Sequence, residues 1–392
     1  MKIGIVAGEA SGDLLGSLLI KSLRSRYPEL QFVGIAGPRM QGAGATSWYA
    51  METLAVRGYV EVLKSYREIA SVRKALIARF LREPPDVFIG IDAPDFNLGL
   101  ETALKRRGIP TIHYVSPSIW AWRGERIRKI AAAADKVLVL FPFEVPIYEK
   151  AGIPVAYVGH PVADEIPEVP DKKAAREQIR LNHPSHVIAL LPGSRQTELD
   201  YHADLVIETA REALKQLPGA HFIVPLASRE TRNQFEEALH RLNAVELPIT
   251  ILFGHTTLAL TAADVALVAS GTATLEAALL KCPMVITYRM SGITYQLMKR
   301  KGYLPYVGLP NILAGEFIVP ELLQEHATPE NLSRALLNLI KYERVRKALV
   351  ARFTEIHRSL KQGNAERVAD AIEPFLQARR ENSVAATAHA AR

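Results

Sequence analysis

The 392-residue sequence predicts an α/β protein with two doubly wound parallel sheets. Short apolar runs alternate with longer helical patterns along almost the whole chain, which is typical of parallel βαβ units. The alternation is interrupted at residues 164–173 (DEIPEVPDKK), where acidic residues and prolines occur without periodicity. We therefore expect a first domain over residues 1–163, a linker over 164–173 and a second domain over 174–341, with a ligand-binding cleft between the two domains.

The individual elements follow from this alternation. After the second sheet we expect C-terminal helices within residues 342–377, and the small, polar tail 378–392 lacks periodicity, which predicts disorder. The predicted strands of the first domain cover residues 2–7, 31–35, 87–91, 111–114, 136–140 and 155–157, those of the second cover 186–191, 221–225, 249–253, 264–268 and 284–287, and the late helices cover 329–340, 342–360 and 364–377.

Composition limits the class of protein. A content of 48% hydrophobic and 23% charged residues is that of a globular protein, and no apolar run approaches the ~18 residues of a membrane span. Glu9 and Asp13 come too early for the apolar region of a signal peptide. The single cysteine, Cys282, cannot form an internal disulfide and is expected to be a small packing residue. These features predict a cytoplasmic protein.

A basic, amphipathic segment lies between Arg57 and Arg82. Seven Lys or Arg and two Glu are interleaved there with Val, Leu, Ile and Tyr, in a chain of net charge +7. Such a pattern is typical of a surface that meets anionic lipid, but it also fits a helix that packs on its own domain. Nucleic acid is the less favoured partner, because neither zinc-finger spacing nor an RNP-type aromatic motif occurs.

The segment 264–289 predicts a nucleotide pocket in the second domain. A Val-rich strand is followed by Ser270, Gly271 and Thr272, and Thr272 is predicted to cap a helix over 273–280 whose free N–H groups face a phosphate. Glu276 lies about one turn further along, and Ala273 stands where a capping box needs Ser or Thr. Glu276 is therefore predicted to bind sugar hydroxyls. The alternative is an ordinary βα turn with a solvated glutamate.

A second loop in the same domain carries a permanent positive charge. The strand over 186–191 is followed by Pro-Gly-Ser-Arg, which ends in Ser194 and Arg195. A diphosphate leaving group needs fixed positive charge, and arginine is a bidentate donor that stays charged. Arg195 beside the Ser270 turn favours a nucleoside diphosphate site, whereas a solvated surface arginine is the alternative.

The first domain offers a different set of polar residues. Its first strand runs into Gly-Glu-Ala-Ser-Gly-Asp, which is not a dinucleotide fingerprint, so we expect an open loop that admits a substrate beside Glu9 and Ser11. The third predicted strand ends at Asp92, with Asp95 close behind, and Asp92 is the better placed general base. Both carboxylates could instead serve only to close Asx turns.

Two of the three tryptophans stand in one loop, at Trp120 and Trp122. Such rings commonly pack against sugar faces or acyl chains, although burial as a loop anchor is the equally ordinary alternative.

Several motifs together resemble the lipid-A-disaccharide synthase family, glycosyltransferase family 19. They occur in order over nearly the whole chain, and two of them, IDAPDFN and HYVSPSIWAWR, are specific to the family. The matching pieces are VAGEASGD (6–13), GPRMQ (37–41), IDAPDFN (91–97), HYVSPSIWAWR (113–123), LPGSR (191–195), SGTATLE (270–276) and LPNILAG (309–315).

The resemblance implies a GT-B fold, in which two Rossmann-like domains face each other across a cleft and the C-terminal helices cross back to the first domain. It implies inverting transfer of 2,3-diacylglucosamine from UDP-2,3-diacylglucosamine to the 6-hydroxyl of 2,3-diacylglucosamine 1-phosphate (lipid X). The products are UDP and the β-1,6-linked tetraacyl disaccharide 1-phosphate of lipid A biosynthesis. Neither a cofactor nor a catalytic metal is expected. The alternatives are a UDP-hexosamine 2-epimerase, an undecaprenyl-linked N-acetylglucosaminyltransferase, or a non-catalytic nucleotide-sugar or lipid-binding module.

Roles carry over by matching position in these motifs. The resemblance implies that Asp92 is the essential aspartate, that Arg195 contacts the UDP diphosphate and that Glu276 contacts the ribose. The further expected substrate-binding residues are Glu9, Ser11, His113, Ser194, Ser270, Gly271, Thr272 and Asn311.

The resemblance also implies peripheral contact with the cytoplasmic face of the anionic inner membrane, which favours lipid contact for the basic segment. Some family members are homodimers that exchange their last helices, so a homodimer is an open expectation here.

Overall fold

The computed structural model describes residues 1–54, 62–120, 124–181, 185–292, 295 and 305–390, with the backbone alone for 62–66 and 382–390. The chain forms two compact units, one of residues 1–164 with 360–392 and one of residues 165–359. The boundary lies inside the predicted linker. That linker is partly helical, because Asp171 caps a helix by accepting a hydrogen bond from the Ala174 amide at 2.9 Å.

The first unit contains a seven-stranded parallel sheet in the order β3-β2-β1-β4-β5-β6-β7. Its central strands are almost wholly buried and apolar, so helices cover both faces. The strands are β1 (Lys2–Ala7), β2 (Gln31–Ile35), β3 (Ala45–Tyr49), β4 (Val87–Ile91), β5 (Thr111–Tyr114), β6 (Lys136–Val139) and β7 (Val155–Tyr157). The helices are α1 (Ala10–Arg26), α2 (Pro38–Gly42), α3 (Val62–Arg82), α4 (Pro94–Lys105), α5 (Ile127–Ala133), α6 (Val145–Lys150) and α7 (Pro161–Glu165).

The second unit contains a six-stranded parallel sheet in the order β10-β9-β8-β11-β12-β13. Cys282 packs in its core, and burial raises the pKa of the thiol to about 12, as expected for a packing residue. The strands are β8 (His186–Leu191), β9 (Ala220–Leu226), β10 (Ile249–Phe253), β11 (Val265–Ala269), β12 (Met284–Tyr288) and β13 (Glu321–Leu323). The helices are α8 (Lys172–Gln178), α9 (Gln196–Gln216), α10 (Arg229–Arg241), α11 (Thr256–Ala262), α12 (Thr272–Leu279), α13 (Leu309–Ala314) and α14 (Pro329–Lys341).

The last two helices differ from the expectation. The helix α15 (Glu343–Leu360) stays with the second unit up to Ser359, so the chain crosses at Leu360 and not at residue 342. The final helix α16 (Asn364–Ala390) packs on α1, where Arg26 forms ion pairs with Glu366, Asp370 and Glu373.

The helix α16 extends to Ala390, into the tail 378–392 for which the sequence predicts disorder. The helix α16 continues there because the tail is rich in alanine, which is the best helix former and needs no apolar periodicity to extend an existing helix.

The sequence prediction missed the edge strands β3 and β13. Both are short and only partly buried, so they lack the continuous apolar run that marks the central strands. Among the described helices, none is long and apolar enough to cross a bilayer. The described half of the basic segment packs on its own domain: Leu76 and Phe80 are in the core, and Arg79 lies 3.8 Å above the ring of Trp48. Residues 55–61 of this segment lie outside the described residues.

Candidate active site

Each sheet reverses its strand order once, between β1 and β4 in the first unit and between β8 and β11 in the second. Loops that leave neighbouring strands in opposite directions open a crevice at the carboxyl end of the sheet, which is where open α/β sheets bind ligands. The predicted loops fall at these two points. In the first unit they hold Glu9, Ser11 and Asp92, and in the second they hold Arg195 and Glu276.

Asp92 directly follows β4 in an unusual backbone conformation. Asp92 and Ala93 both adopt left-handed backbone angles, with φ of 50° and 43°, which costs about 1–3 kcal/mol per residue. Hydrogen bonds hold this corner: the Asp92 amide donates to the Tyr114 carbonyl at 2.8 Å, and the Asn97 side chain donates to the Asp92 carbonyl at 2.8 Å. The Asp92 side chain is half-buried and has access to a ligand. Such a strained, well-held carboxylate fits a functional position.

The neighbouring Asp95 has a structural role. It lies in the first turn of α4, where a carboxylate favours the helix dipole, and its Oδ1 is 2.7 Å from the Arg126 guanidinium. Of the two carboxylates, Asp92 is therefore the one that remains for chemistry.

The loop after β1 leads into α1. Glu9 and Ser11 are exposed there, as expected for a loop that contacts a substrate. Asp13 of the same motif is buried, and its carboxylate accepts from the Arg39 and Met40 amides at 2.9 and 3.0 Å. Asp13 therefore connects the motif VAGEASGD to the motif GPRMQ at the start of α2. Sequence reasoning did not identify this role.

The structure does not bring His113 to the surface of the site. The side chain is fully buried in β5, and its Nδ1 lies 2.8 Å from Oε1 of the equally buried Glu101 on α4. His113 is thus a residue beneath the site, not a group that a substrate can reach in this conformation. Sequence reasoning missed Glu101.

The tryptophan loop is anchored by aromatic contacts and a buried acid. Trp120 packs edge to face on Phe143 at 5.3 Å, and Phe143 stacks on Phe141 at 5.5 Å. The side chain of Glu144 is buried below them and accepts from the Phe141 amide at 3.1 Å. For Trp120 these contacts favour the loop-anchor alternative. Trp122 lies outside the described residues.

Glu144 gives this loop a pH dependence that can be measured. Burial raises the pKa of Glu144 from 4.5 to about 7, although hydrogen bonds from the Phe141 amide and from Ser116 and Trp120 lower it in part. Between these values the folded chain holds the proton more tightly than the unfolded chain does. The free energy of unfolding should therefore fall by up to about 3 kcal/mol as pH rises through this window.

We expect Glu144→Gln to remove this fall. The measurement is chemical denaturation of both proteins at pH 5 and pH 7.5. For each protein the change in the free energy of unfolding between the two pH values is determined, and the two changes are compared. Equal pH dependence in the wild type and the variant would contradict the role of Glu144.

In the second unit, the Ser270 turn leads directly into α12. The structure corrects the predicted cap: Gly271 is the N-cap residue and Thr272 is already helical, because the extended backbone at Gly271 ends the turn one residue earlier. No side chain caps the helix, and the position of a Cβ on Gly271 has no atom within 4 Å. Gly271 and Thr272 are exposed, so the start of α12 is open to solvent, as an anion site requires.

Glu276 is half-buried and has a fixed orientation. The hydroxyl of Thr257 on α11 donates to its Oε1 at 2.5 Å. The carboxylate makes no capping bond to the start of α12, in agreement with the sequence argument. A carboxylate held on one oxygen keeps the other for ligand hydroxyls.

Arg195 stands on the neighbouring strand end. Glu198 shapes its loop by accepting from the Ser194 and Arg195 amides at 2.7 and 3.3 Å. Gly193 has a φ of 127°, and a Cβ there would lie 2.5 Å from Oε2 of Glu198, so the turn requires glycine. The Arg195 side chain is 76% exposed, and its guanidinium comes no closer than 3.8 Å to the Glu198 carboxylate. Its donors are available to a ligand.

Asn311 is placed differently from the expectation. The side chain is fully buried, its amide donates to the Val319 carbonyl and to Glu321, and its oxygen accepts from the Ile318 and Val319 amides. These bonds use the whole capacity of an amide group, so none is left for a substrate. Asn311 holds the segment after β12 in shape.

Comparison with known proteins decides the family. The model of the lipid-A-disaccharide synthetase family matches residues 3–373. The chain belongs to this family. It is 57% identical over 373 residues to the lipid-A-disaccharide synthase of Dechloromonas aromatica, covering 95% of this chain and 98% of that protein. It is 55% identical over 372 residues to the lipid-A-disaccharide synthase of Chromobacterium violaceum, covering 95% of this chain and 96% of that protein. The resemblance stated from the motifs is confirmed.

Solved structures of lower similarity support the GT-B fold. The UDP-GlcNAc 2-epimerase of Neisseria meningitidis bound to UDP-GlcNAc has a TM-score of 0.63 at 14% identity, covering 96% of this chain and all of that one. The calicheamicin glycosyltransferase CalG4 has a TM-score of 0.61 at 15% identity, covering 96% of this chain and 98% of that one. At such identities the likeness concerns the fold alone. Family membership comes from the sequence relatives, which do not favour the epimerase alternative.

Proposed function

We propose that this protein transfers 2,3-diacylglucosamine from UDP-2,3-diacylglucosamine to the 6-hydroxyl of lipid X. The observation that carries the proposal is the 57% identity to a lipid-A-disaccharide synthase over 95% of the chain. The products are UDP and the β-1,6-linked tetraacyl disaccharide 1-phosphate. The proposal is also supported by polar residues at the carboxyl end of each sheet that fit parts of this reaction.

The first unit supplies the base. The acceptor O6 attacks C1 of the donor sugar, the bond from C1 to the β-phosphate oxygen breaks, and Asp92 takes the hydroxyl proton. Because attack comes from the face opposite the leaving group, an α-linked donor gives a β-linked product. Asp92 suits this role, since its carboxylate is half-buried and its backbone is held by Asn97 and Tyr114.

The second unit supplies the donor site. The diphosphate gains negative charge as the bond to C1 breaks, and the Arg195 guanidinium and the N–H groups at the start of α12 stabilise it. Glu276 binds the ribose hydroxyls in the orientation that Thr257 sets. Ser194, Ser270 and Thr272 are expected to line the same site.

Glu276→Gln tests the donor site separately from the chemistry. Gln keeps the size of the side chain but replaces a charged acceptor with a neutral one, so we expect UDP to bind about tenfold more weakly. Calorimetric titration with UDP is the measurement, and Glu236→Gln on the exposed surface of α10 is the control. Undiminished UDP affinity would remove Glu276 from the site.

The reaction itself is tested with both acylated sugars. We expect chromatography to show UDP release only when donor and acceptor are both present, and mass spectrometry to show the tetraacyl disaccharide 1-phosphate. An epimerase would convert a UDP-hexosamine without an acceptor, a polyprenyl-linked enzyme would ignore lipid X, and a binding module would release no UDP. Any of these three outcomes would contradict the proposal.

We also propose peripheral contact with the cytoplasmic face of the inner membrane, since both substrates carry acyl chains. The support is the basic segment, in which Arg67, Lys74 and Arg82 are exposed along α3. Sedimentation with vesicles that contain anionic lipid should be lost at high salt. Equal sedimentation with neutral vesicles would contradict an electrostatic contact. A homodimer stays a prediction.

A further inference from the structure

The motif GPRMQ (37–41) stands at the carboxyl end of the first sheet, on the same edge as Asp92. It follows β2 and forms most of α2. The strands β2, β1 and β4 are neighbours in that order, so the loop with Glu9 and Ser11 lies between this motif and Asp92. Neighbouring strands are just under 5 Å apart, which places the ends of β2 and β4 about 10 Å from each other. The motif therefore borders the acceptor side of the proposed site.

Direct contacts join the loops at these three strand ends. The buried carboxylate of Asp13, in the first turn of α1, accepts a hydrogen bond from the Arg39 amide at 2.9 Å. On the other side, a Cβ on Gly8 would lie 2.7 Å from the Cβ of Ala93, so the loop after β1 touches the corner that carries Asp92. A ligand bound at Asp92 across the loop after β1 can therefore extend to the segment of Arg39.

The backbone around Arg39 is fixed, while its side chain is available to a ligand. The carboxylate of Asp13 holds the amides of Arg39 and Met40, and the Met40 side chain is fully buried. The side chain of Gln41 donates to the Ala36 carbonyl at 2.9 Å. Arg39 itself is exposed, and within the described part of the chain its guanidinium forms neither a hydrogen bond nor an ion pair. A rigid backbone thus presents an uncompensated positive charge.

The other described cation at this edge is already paired. From the end of each strand of the first sheet to the first turn of the helix that follows, Arg39 and Arg126 are the only Lys or Arg among the described residues. The Arg126 guanidinium lies 2.7 Å from the Asp95 carboxylate, and its side chain is only 15% exposed. Of these two arginines, Arg39 is therefore the one whose charge is left for a ligand.

The proposed acceptor carries an anion that needs such a group. Lipid X has a phosphate on C1, and this phosphate stays unchanged while O6 forms the new bond. The Asp92 carboxylate is suited to the O6 proton and would repel a phosphate, which carries the same sign of charge. An arginine offers a planar fork of N–H donors that matches phosphate oxygens and stays charged. Arg39 supplies this chemistry on the same edge of the sheet.

We propose that Arg39 binds the 1-phosphate of the acceptor and so selects a sugar 1-phosphate over the same sugar with a free 1-hydroxyl. The acceptor then extends along the edge of the sheet from Asp92, at O6, to Arg39, at the phosphate. Asp13 is a positioning residue, because it fixes the backbone from which the Arg39 side chain leaves. This inference rests on the proposed function, since it assigns a further part of the same acceptor.

Two acceptors isolate the contribution of the phosphate: lipid X, and 2,3-diacylglucosamine with a free 1-hydroxyl. Arg39→Ala should raise the KM for lipid X about 10- to 100-fold, because a charge-assisted hydrogen bond to the phosphate is lost. The phosphate takes no part in the bond changes, so kcat should change little. With the acceptor that lacks the phosphate, the KM of the wild type should already be raised, and the substitution should have a much smaller effect.

Two further variants make the result specific. Arg39→Lys should keep part of the affinity for lipid X, since lysine binds phosphate as a point charge. Arg107→Ala is the matched control, because Arg107 is also exposed but lies between α4 and the start of β5, at the opposite edge of the sheet. It should leave the KM for lipid X at the wild-type value. A folded Arg39→Ala variant with the wild-type KM for lipid X would overturn the proposal, and so would an equal rise in KM for both acceptors.

Failure of this inference and failure of the proposed function give different results. Absence of UDP release by the wild type with donor and lipid X would refute the proposed function, and the inference would fall with it. Formation of the disaccharide by the wild type, together with an unchanged preference for lipid X in Arg39→Ala, would refute the assignment of Arg39 alone. Calorimetric titration with UDP should give the wild-type affinity in Arg39→Ala, which shows that this variant is folded.

Discussion

Asp92→Ala is expected to lower turnover at least ~10²-fold while the affinity for UDP changes little. The carboxylate is the proposed acceptor of the O6 proton, and the groups proposed to bind UDP are on the other unit. The measurement is kcat with both acylated sugars beside calorimetric UDP binding.

The backbone at this position requires a second variant. With φ of 50°, Ala at position 92 adds strain of its own, whereas Asn tolerates left-handed angles about as well as Asp. Asp92→Asn therefore removes the charge and keeps the corner. Equal losses in both variants would identify the carboxylate as the cause, and normal turnover in Asp92→Asn would refute its assignment as base.

Arg195→Ala is expected to weaken UDP binding by about 10- to 100-fold, because one charge-assisted hydrogen bond is worth about 1.5–3 kcal/mol. The loss should extend to kcat, since charge on the diphosphate grows in the transition state. The side chain is exposed and makes only a 3.8 Å contact with Glu198, so truncation leaves the loop intact. UDP titration and steady-state kinetics measure the two effects.

The variant Arg195→Lys tests whether the planar shape of the guanidinium matters in addition to its charge. Lysine keeps the charge but not the planar fork, so Arg195→Lys should recover only part of the loss. Arg232→Ala on the exposed surface of α10, where Arg232 pairs with Glu236, is the control and should bind UDP normally. Normal UDP binding by Arg195→Ala would remove the guanidinium from the donor site.

Buried strands could be predicted from the sequence because their signal is local. The bounds of β1, β4, β5 and β8 agree with the prediction, and β1, β4 and β8 consist mainly of apolar residues. The edge strand β13 could not be found this way, because half-buried residues at a sheet edge are not selected for apolar character.

The site could be predicted only as far as position along the chain allows. The places of Asp92 and Arg195 near strand ends could be predicted, since Asp92 directly follows β4 and Arg195 follows β8 after the Pro-Gly-Ser turn. His113 and Asn311 were expected at the surface, but a polar residue type does not show whether its partners are substrate atoms or buried protein groups. Their partners, Glu101 and Glu321, are on other elements, so no local pattern marks them.

The crossing at Leu360 affects the order in which the chain can fold. Residues 165–359 are complete before the segment that finishes the first unit leaves the ribosome. Until α16 emerges, α1 lacks the partners of Arg26, and Tyr114 lacks Asn364, whose side-chain oxygen accepts its hydroxyl at 2.8 Å. The unit synthesised first is therefore the one completed last. Its core is completed only once α16 has been synthesised, when residues 165–359 can already have folded.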